Sequence, residues 1–201
     1  MIFLIARWVV ISILLMRAPA FTGDEPMEYQ DNQYQFAFSF PQNWKLEKAP
    51  PGNEYGDTRV IVSHPTRPIY AMAAVGQLGK TVTKERYDTN PNRNEIVKAM
   101  MRITVWEDYN KVSRQIGADR MIVEESWVIP SDVGIEFYIS TLQMKGDLPI
   151  AVIGLHAVPF EKPYIVSFIM VSPVDKTATA DNETTKKVFN PFHLLGEKPV
   201  E

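Results

Sequence analysis

Acids, a phenol and an imidazole are predicted to meet on one face of a sheet in the second half of this 201-residue chain. The residues are Glu124, Glu136, Tyr138 and His156, and they form the candidate site for a ligand or a partner. A carboxylate beside an imidazole orients the ring and raises its proton affinity, which suits acid–base catalysis. A hydrolase-type enzyme that uses Glu136, His156 and Tyr138 is therefore one hypothesis for the function.

A structural role explains the same residues without any chemistry. A half-buried acid in a sheet needs a hydrogen-bonding partner or water, and a histidine on the next strand supplies one. A hydrolase would also need a nucleophile or a set of metal ligands, and the sequence contains no motif for either. We therefore predict a non-enzymatic protein with no catalytic residues, and the hydrolase is kept as the alternative.

Other kinds of functional site find no support in the sequence. His64, His156 and His193 are scattered and the chain has no cysteine, so no metal site is predicted. No Gly-x-Ser-x-Gly elbow, Walker loop or dinucleotide fingerprint is present, so no cofactor is expected. The formal charge of −3 lacks the basic excess of nucleic-acid-binding proteins, so nucleic acid is not an expected partner.

The candidate site depends on how three consecutive strands pair. A first turn centred on Asp132 places Trp127 opposite Phe137. A second turn, centred on the glycine of GDLP, places His156 beside Glu136. This register gives one apolar and one polar face, and a slip by one residue would move the polar side chains into the core.

One long helix is the clearest element of the sequence. Asn90 can cap it, Pro91 fits its first position, and Gly117 is a C-terminal stop. Apolar residues recur between these ends at three- and four-residue steps, at Ile96, Ala99, Ile103, Trp106, Tyr109, Val112 and Ile116. Such a stripe is typical of a helix that packs on a core, so we expect it to face the sheet rather than a partner.

The remaining pattern consists of strands. In FAFSF, Phe36, Phe38 and Phe40 share one side of a strand and are expected to enter the core together. Further strands are predicted at 58–64, 69–78, 120–129, 133–144, 149–158 and 163–171, with a weaker helical stretch at 175–189. This order predicts an α+β fold, with a central antiparallel β-sheet flanked by helices in an α/β/α sandwich. The single domain is expected to span 34–195, between a flexible segment at 21–33 and a tail at 196–201.

The first twenty residues have the pattern of a signal peptide. Arg7 precedes an apolar run that ends at Met16, and Ala18 and Ala20 are the small residues of a cleavage site. Only nine residues separate Arg7 from Arg17, whereas a transmembrane helix needs about 20 apolar residues. We expect cleavage after Ala20 and no stable membrane insertion afterwards, with an uncleaved membrane anchor as the alternative.

Short motifs and the order of elements resemble those of the PsbP-like domain family. They are FSFPQNW near the start, SHPTRP ahead of a strand, the long helix, the four strands that follow it, and FNPFHLL near the end. That family includes the PsbP subunit of photosystem II, the nuclear Ran-release factor and many exported bacterial proteins. The resemblance covers residues 34–195 and implies an antiparallel sheet between helices, used as a non-enzymatic binding or assembly module.

The resemblance and the signal peptide together predict a location and a kind of partner. A signal of this form favours a periplasmic or secreted protein of the bacterial cell envelope. The expected partner is another envelope protein or a small ligand, and the sequence does not indicate an oligomeric state. The family has no shared catalytic residues, so the resemblance adds none to this chain.

Overall fold

The computed structural model describes residues 26–49, 57–174 and 192–195. Ten strands and two helices lie in these ranges. In chain order they are β1 (Met27–Asp31), β2 (Phe36–Phe40), β3 (Lys45–Lys48), β4 (Asp57–Ser63), β5 (Tyr70–Gln77), α1 (Lys84–Asp88), α2 (Arg93–Ile116), β6 (Arg120–Pro130), β7 (Gly134–Lys145), β8 (Leu148–Pro159), β9 (Tyr164–Pro173) and β10 (His193–Leu194). No helix in the described ranges is long and apolar enough to cross a membrane.

A seven-stranded antiparallel sheet is the centre of the fold, in the order β3-β4-β5-β9-β8-β7-β6. Helix α2 covers one face of it, and the core there includes Met101, Val105, Tyr109, Val112, Phe137 and Ile139. The other face is covered by a three-stranded sheet in the order β1-β2-β10. The fold is therefore antiparallel, as predicted, and sheet-dominated. In the described residues the second face carries this small sheet, so they do not show the helical second layer of the predicted α/β/α sandwich. The helical stretch predicted at 175–189 lies outside them.

The aromatic run FAFSF enters the core as predicted. Phe36, Phe38 and Phe40 are all buried in the cluster between the two sheets. The ring centroid of Phe38 lies 4.7 Å from that of Phe168 on β9. Alternation puts the three rings on one side of β2, so this short strand joins the small sheet to the large one.

The N-terminal segment predicted to be flexible contains a strand. β1 pairs with β2 from Met27 opposite Phe40 to Asp31 opposite Phe36. Asp31 stabilises the turn that follows, since its Oδ1 accepts hydrogen bonds from the backbone N–H groups of Gln33 and Tyr34, at 3.0 and 3.1 Å. Its Oδ2 accepts from Arg59 Nε at 3.0 Å. The polar composition of 21–33 concealed this strand because its side chains are largely exposed.

Helix α2 ends where the sequence indicates, at Gly117, whose φ of 66° is in the left-handed region that glycine favours. Its buried face differs from the predicted stripe in the first half of the helix. Met101 and Val105 contact the sheet there, with Tyr109 and Val112 in the second half. The predicted residues Ile96, Ala99, Ile103 and Trp106 are exposed instead.

The register of the two hairpins differs by one residue from the prediction. Trp127 lies opposite Tyr138 rather than Phe137, and Phe137 lies opposite His156. In the second hairpin, Lys145 pairs with Leu148, so the turn has two residues rather than one central residue. A change of one residue in pairing moves every partner to the opposite face of the sheet.

Strand β6 lies at one edge of the large sheet and is irregular. Its pairing with β7 shifts between Val123 and Glu125, which is a β-bulge. The candidate residue Glu124 lies within this bulge, and its side chain is outside the described part of the chain.

Candidate functional site

The structure separates the residues that the sequence prediction had brought together. Glu136 and Tyr138 lie on the side of β7 that faces the small sheet. His156 lies opposite Phe137, on the side of the large sheet that α2 covers. The predicted group of Glu136, Tyr138 and His156 is therefore wrong, because the carboxyl and the imidazole are on opposite faces of the sheet.

Glu136 and Tyr138 form a pair of their own. The Tyr138 hydroxyl donates a hydrogen bond to Glu136 Oε2 at 3.2 Å. The Tyr138 ring stacks on Trp127 of the edge strand, with centroids 5.2 Å apart and an interplanar angle of 8°. Glu136 is buried, so the phenol contributes to the stabilisation that an acid requires away from water. A binding role for Glu136, Tyr138 and Glu124 stays a prediction.

His156 belongs to a hydrogen-bonded network sealed beneath α2. The Tyr109 hydroxyl lies 3.2 Å from the Ile139 carbonyl oxygen and 3.3 Å from His156 Nε2. Ser167 Oγ lies 2.8 Å from His156 Nδ1. A phenol has one proton and a carbonyl can only accept, so Tyr109 donates to Ile139 and accepts from Nε2–H. Nδ1 then accepts from the Ser167 hydroxyl, and every polar group of the network is satisfied.

Burial determines the charge state of this network. Tyr109 and His156 are both fully buried, with 0% of their surface exposed. Desolvation lowers the pKa of His156 to about 3 and raises the pKa of Tyr109, with the carboxyl of Asp108 as a smaller cause for the phenol. Both groups are therefore neutral near pH 7. A neutral imidazole with so low a pKa and no access to solvent is suited to packing rather than to general-base catalysis.

Gly154 makes room for the network. An added Cβ at this position would lie 2.0 Å from the Tyr109 hydroxyl and 2.6 Å from His156 Nε2. Glycine is therefore required on β8 for the phenol to approach the strand. The sequence contained this glycine, but nothing in it indicated which side chain fills the space above it.

The described residues contain no group of three His, Cys, Asp or Glu side chains placed to hold a metal ion.

A polar depression lies where α1 meets α2, between Asp88 and Glu95. It consists of turn residues around a helix start, with Asn90 Oδ1 accepting from the Asn92 N–H at 2.9 Å. That hydrogen bond closes the turn itself.

The outer face of α2 is our name for Ile96, Ala99, Met100, Ile103 and Trp106. All of these except Met100 belong to the stripe that was predicted to face the core. Ile103 is 81% exposed and Met100 is 55% exposed, and Ile96 and Trp106 are also exposed. Exposed apolar side chains that form one patch on a helix commonly mark an interaction site. The sequence did indicate a second apolar surface on the helix, since residues 96–106 contain more apolar side chains than one stripe can hold.

Comparisons with known proteins identify the fold. No protein-family model matches the chain, and no curated protein matches its sequence. The solution structure of cyanobacterial PsbP (CyanoP) from Synechocystis sp. PCC 6803 is similar, with a TM-score of 0.56 and 11% identity over 90% of this chain and 98% of CyanoP. The crystal structure of the Saccharomyces cerevisiae Ran-binding protein Mog1p has a TM-score of 0.50 and 7% identity over 86% of this chain and 97% of Mog1p.

Identities this low are informative about architecture and not about residues that act in a site. Both matches extend over nearly the whole of the compared structures, so the likeness concerns the complete domain rather than one motif. The resemblance predicted from FSFPQNW and the order of elements is confirmed: the chain has the PsbP-like fold that CyanoP and Mog1p share.

Proposed function

We propose that this chain is a non-catalytic, protein-binding module that is exported to the bacterial cell envelope. The observation that carries the binding role is the shared fold, since Mog1p, which has this fold, is a Ran-binding protein. The exposed apolar outer face of α2 supports the same role. The partner is another envelope protein.

The hydrolase alternative is not proposed. It required the carboxyl of Glu136 and the imidazole of His156 in one solvent-accessible pocket. These groups lie on opposite faces of the sheet, and His156 is fully buried. Its low pKa also removes the proton affinity that a general base needs near neutral pH.

Binding is tested by affinity capture with the tagged full chain from envelope extracts of its source organism. We expect recovery of the same protein in repeated experiments, and no recovery with an unrelated exported protein of similar size. An activity screen with hydrolase substrates is run beside it. Repeated capture of nothing together with turnover in the screen would show that the proposal is wrong.

Export rests on the signal-peptide pattern of residues 1–20. Mass spectrometry of the protein purified from its native cells measures the N-terminus directly. We expect a mature chain that begins at Phe21. A chain that retains residues 1–20 and sediments with membranes would show that these residues are an anchor.

A further inference from the structure

We propose that the outer face of α2 inserts into an apolar groove with an acidic rim on the partner protein. This inference rests on the proposed binding function and names the surface and the chemistry of the partner. It starts from the exposed side chains of Ile96, Met100, Ile103 and Trp106. These side chains are not needed to pack α2 on the sheet, because the opposite side of the helix makes those contacts through Met101, Val105, Tyr109 and Val112.

The spacing of the exposed residues suits helix insertion. Counted from Ile96, they follow at i+4, i+7 and i+10, which is the pattern of a helix that binds in a groove. From Ile96 to Trp106 the helix advances about 15 Å. A convex helix surface of this kind fits a concave apolar site better than a flat one. The partner therefore supplies the groove and α2 supplies the helix.

The charges beside this face indicate the rim of the groove. Between Glu95 and Glu107 the helix contains two cations, Lys98 and Arg102, and no acid. Glu107 is already engaged by Arg114, with Oε1 and Nη2 2.8 Å apart. Charge complementarity then calls for carboxylates on the partner.

Arg102 is the cation best placed to contact such a rim. Its Nη2 donates a hydrogen bond to Ser126 Oγ on β6 at 3.0 Å, and this neutral acceptor leaves its charge available. Lys98, by contrast, pairs with Glu95 at 3.2 Å. An acidic partner group can therefore meet Arg102 next to the apolar face.

A second copy of this chain fits less well. In an antiparallel pair of α2 helices around a twofold axis, the same flank of each helix meets, so Lys98 and Arg102 would face their own counterparts. This repulsion between like charges favours a different protein with acids at its rim.

Site-specific photo-cross-linking in the full chain identifies what covers this face. The substitution Ile103→p-benzoylphenylalanine is made in the source organism, and Gln115→p-benzoylphenylalanine is the control at an exposed position of the same helix. We expect an adduct to another protein from position 103 only, on a peptide that lines an apolar groove bordered by Asp or Glu. An adduct between two copies, to lipid or to other segments of this chain, or no adduct, overturns the inference.

Variants then separate this inference from the proposed function. Ile103→Glu should reduce capture of the partner at least about tenfold, whereas Gln115→Glu should leave it unchanged. Arg102→Glu should also reduce capture, and the loss should shrink at high salt. Because Ile103 is 81% exposed, the melting temperature of Ile103→Glu should equal that of the wild type. If wild type and Ile103→Glu capture one partner equally, the inference is wrong and the binding function stands. If neither captures a partner, the inference is wrong, and turnover in the activity screen would then show that the binding function is wrong too.

Discussion

The contact between Tyr109 and β8 depends on a missing side chain. Gly154 lies directly below the phenol, and its backbone conformation is one that other residues can adopt. Glycine is therefore needed at this position because a side chain would not fit, and not because the backbone adopts a conformation that only glycine allows. A side chain at this position would displace the hydroxyl from both His156 and the Ile139 carbonyl.

We expect Gly154→Ala to lower the free energy of unfolding by about 1–3 kcal/mol, because the added methyl group overpacks the core. Gly79→Ala is the matched control, since nothing lies within 4 Å of a Cβ there and its φ is not positive. The control should change stability by less than about 0.5 kcal/mol. Urea denaturation measures both, and equal midpoints for the two variants would mean that the space above Gly154 is not filled by the phenol.

Because His156 is buried in its neutral form, we expect the free energy of unfolding to depend on pH. Burial lowers its pKa from 6.5 to about 3, so the unfolded chain takes up the proton first as the pH falls. The contribution is complete above pH 6.5 and is lost progressively towards pH 3, by up to about 1.4 kcal/mol per pH unit. Unfolding by urea is measured over this range for the wild type and for His156→Gln. The wild type should lose stability more steeply below pH 6.5, and parallel profiles would refute the assignment of a buried neutral imidazole.

Helix α2 carries apolar residues on two opposite faces in its first half. The sequence correctly placed its end at Gly117, because a left-handed glycine has a strong local signature. It did not determine which face is buried. Periodicity finds a stripe, but two stripes of similar hydrophobicity leave the rotation of the helix to tertiary packing.

Two adjacent methionines test that rotation. Met101 is 5% exposed and Met100 is 55% exposed. Met101→Ala should lower the free energy of unfolding by about 2–5 kcal/mol through a cavity in the core. Met100→Ala should change it by less than about 1 kcal/mol, since its side chain faces solvent. Chemical denaturation compares them, and the reverse ranking would place the predicted stripe against the sheet after all.

The pairing of the strands also could not be predicted from the sequence pattern alone. Their existence was predictable from β-branched and aromatic runs, but the register was not. Glu136 and Phe137 are neighbours in β7 that are both buried, on opposite faces of the sheet. When both faces of a strand are buried, a slip by one residue no longer exposes an apolar set, so polarity cannot select the register. The candidate site failed for this reason.

Across the whole molecule, the C-terminal strand returns to the N-terminal hairpin. Leu194 of β10 pairs with Phe36 of β2. The ring of Phe192 stacks on Phe36 and Phe168, with centroids 6.0 and 5.5 Å away. The two ends of the domain therefore depend on each other and on the large sheet.

We expect Phe192→Ala to lower the free energy of unfolding by about 3–5 kcal/mol, and to increase hydrogen exchange of the β2 amides together with those of β10. Leu148→Ala, at the half-exposed first position of β8, is the control and should leave both measurements nearly unchanged. Rapid exchange confined to β10 would indicate that β2 is stable without the C-terminal strand.

The sequence was most informative about the architecture of the whole domain. The order of long elements and the motif FSFPQNW were sufficient to identify the PsbP-like fold, which the whole-domain likeness to CyanoP confirms. The strands β1, β3 and β10 were not predicted because they are short and, unlike the equally short β2, do not contain three alternating apolar residues. A contact between residues distant in sequence, Arg59 with Asp31, stabilises β1.

The bulge in β6 has a consequence for the behaviour of the protein at high concentration. An edge strand offers backbone groups to which a strand of another molecule can add, and repeated addition produces fibrils. The bulge between Val123 and Glu125 interrupts those groups, and the sequence places two consecutive acids there. At the opposite edge, β3 has four residues, KLEK, of which three are charged. Both edges of the large sheet are thus poor templates for aggregation.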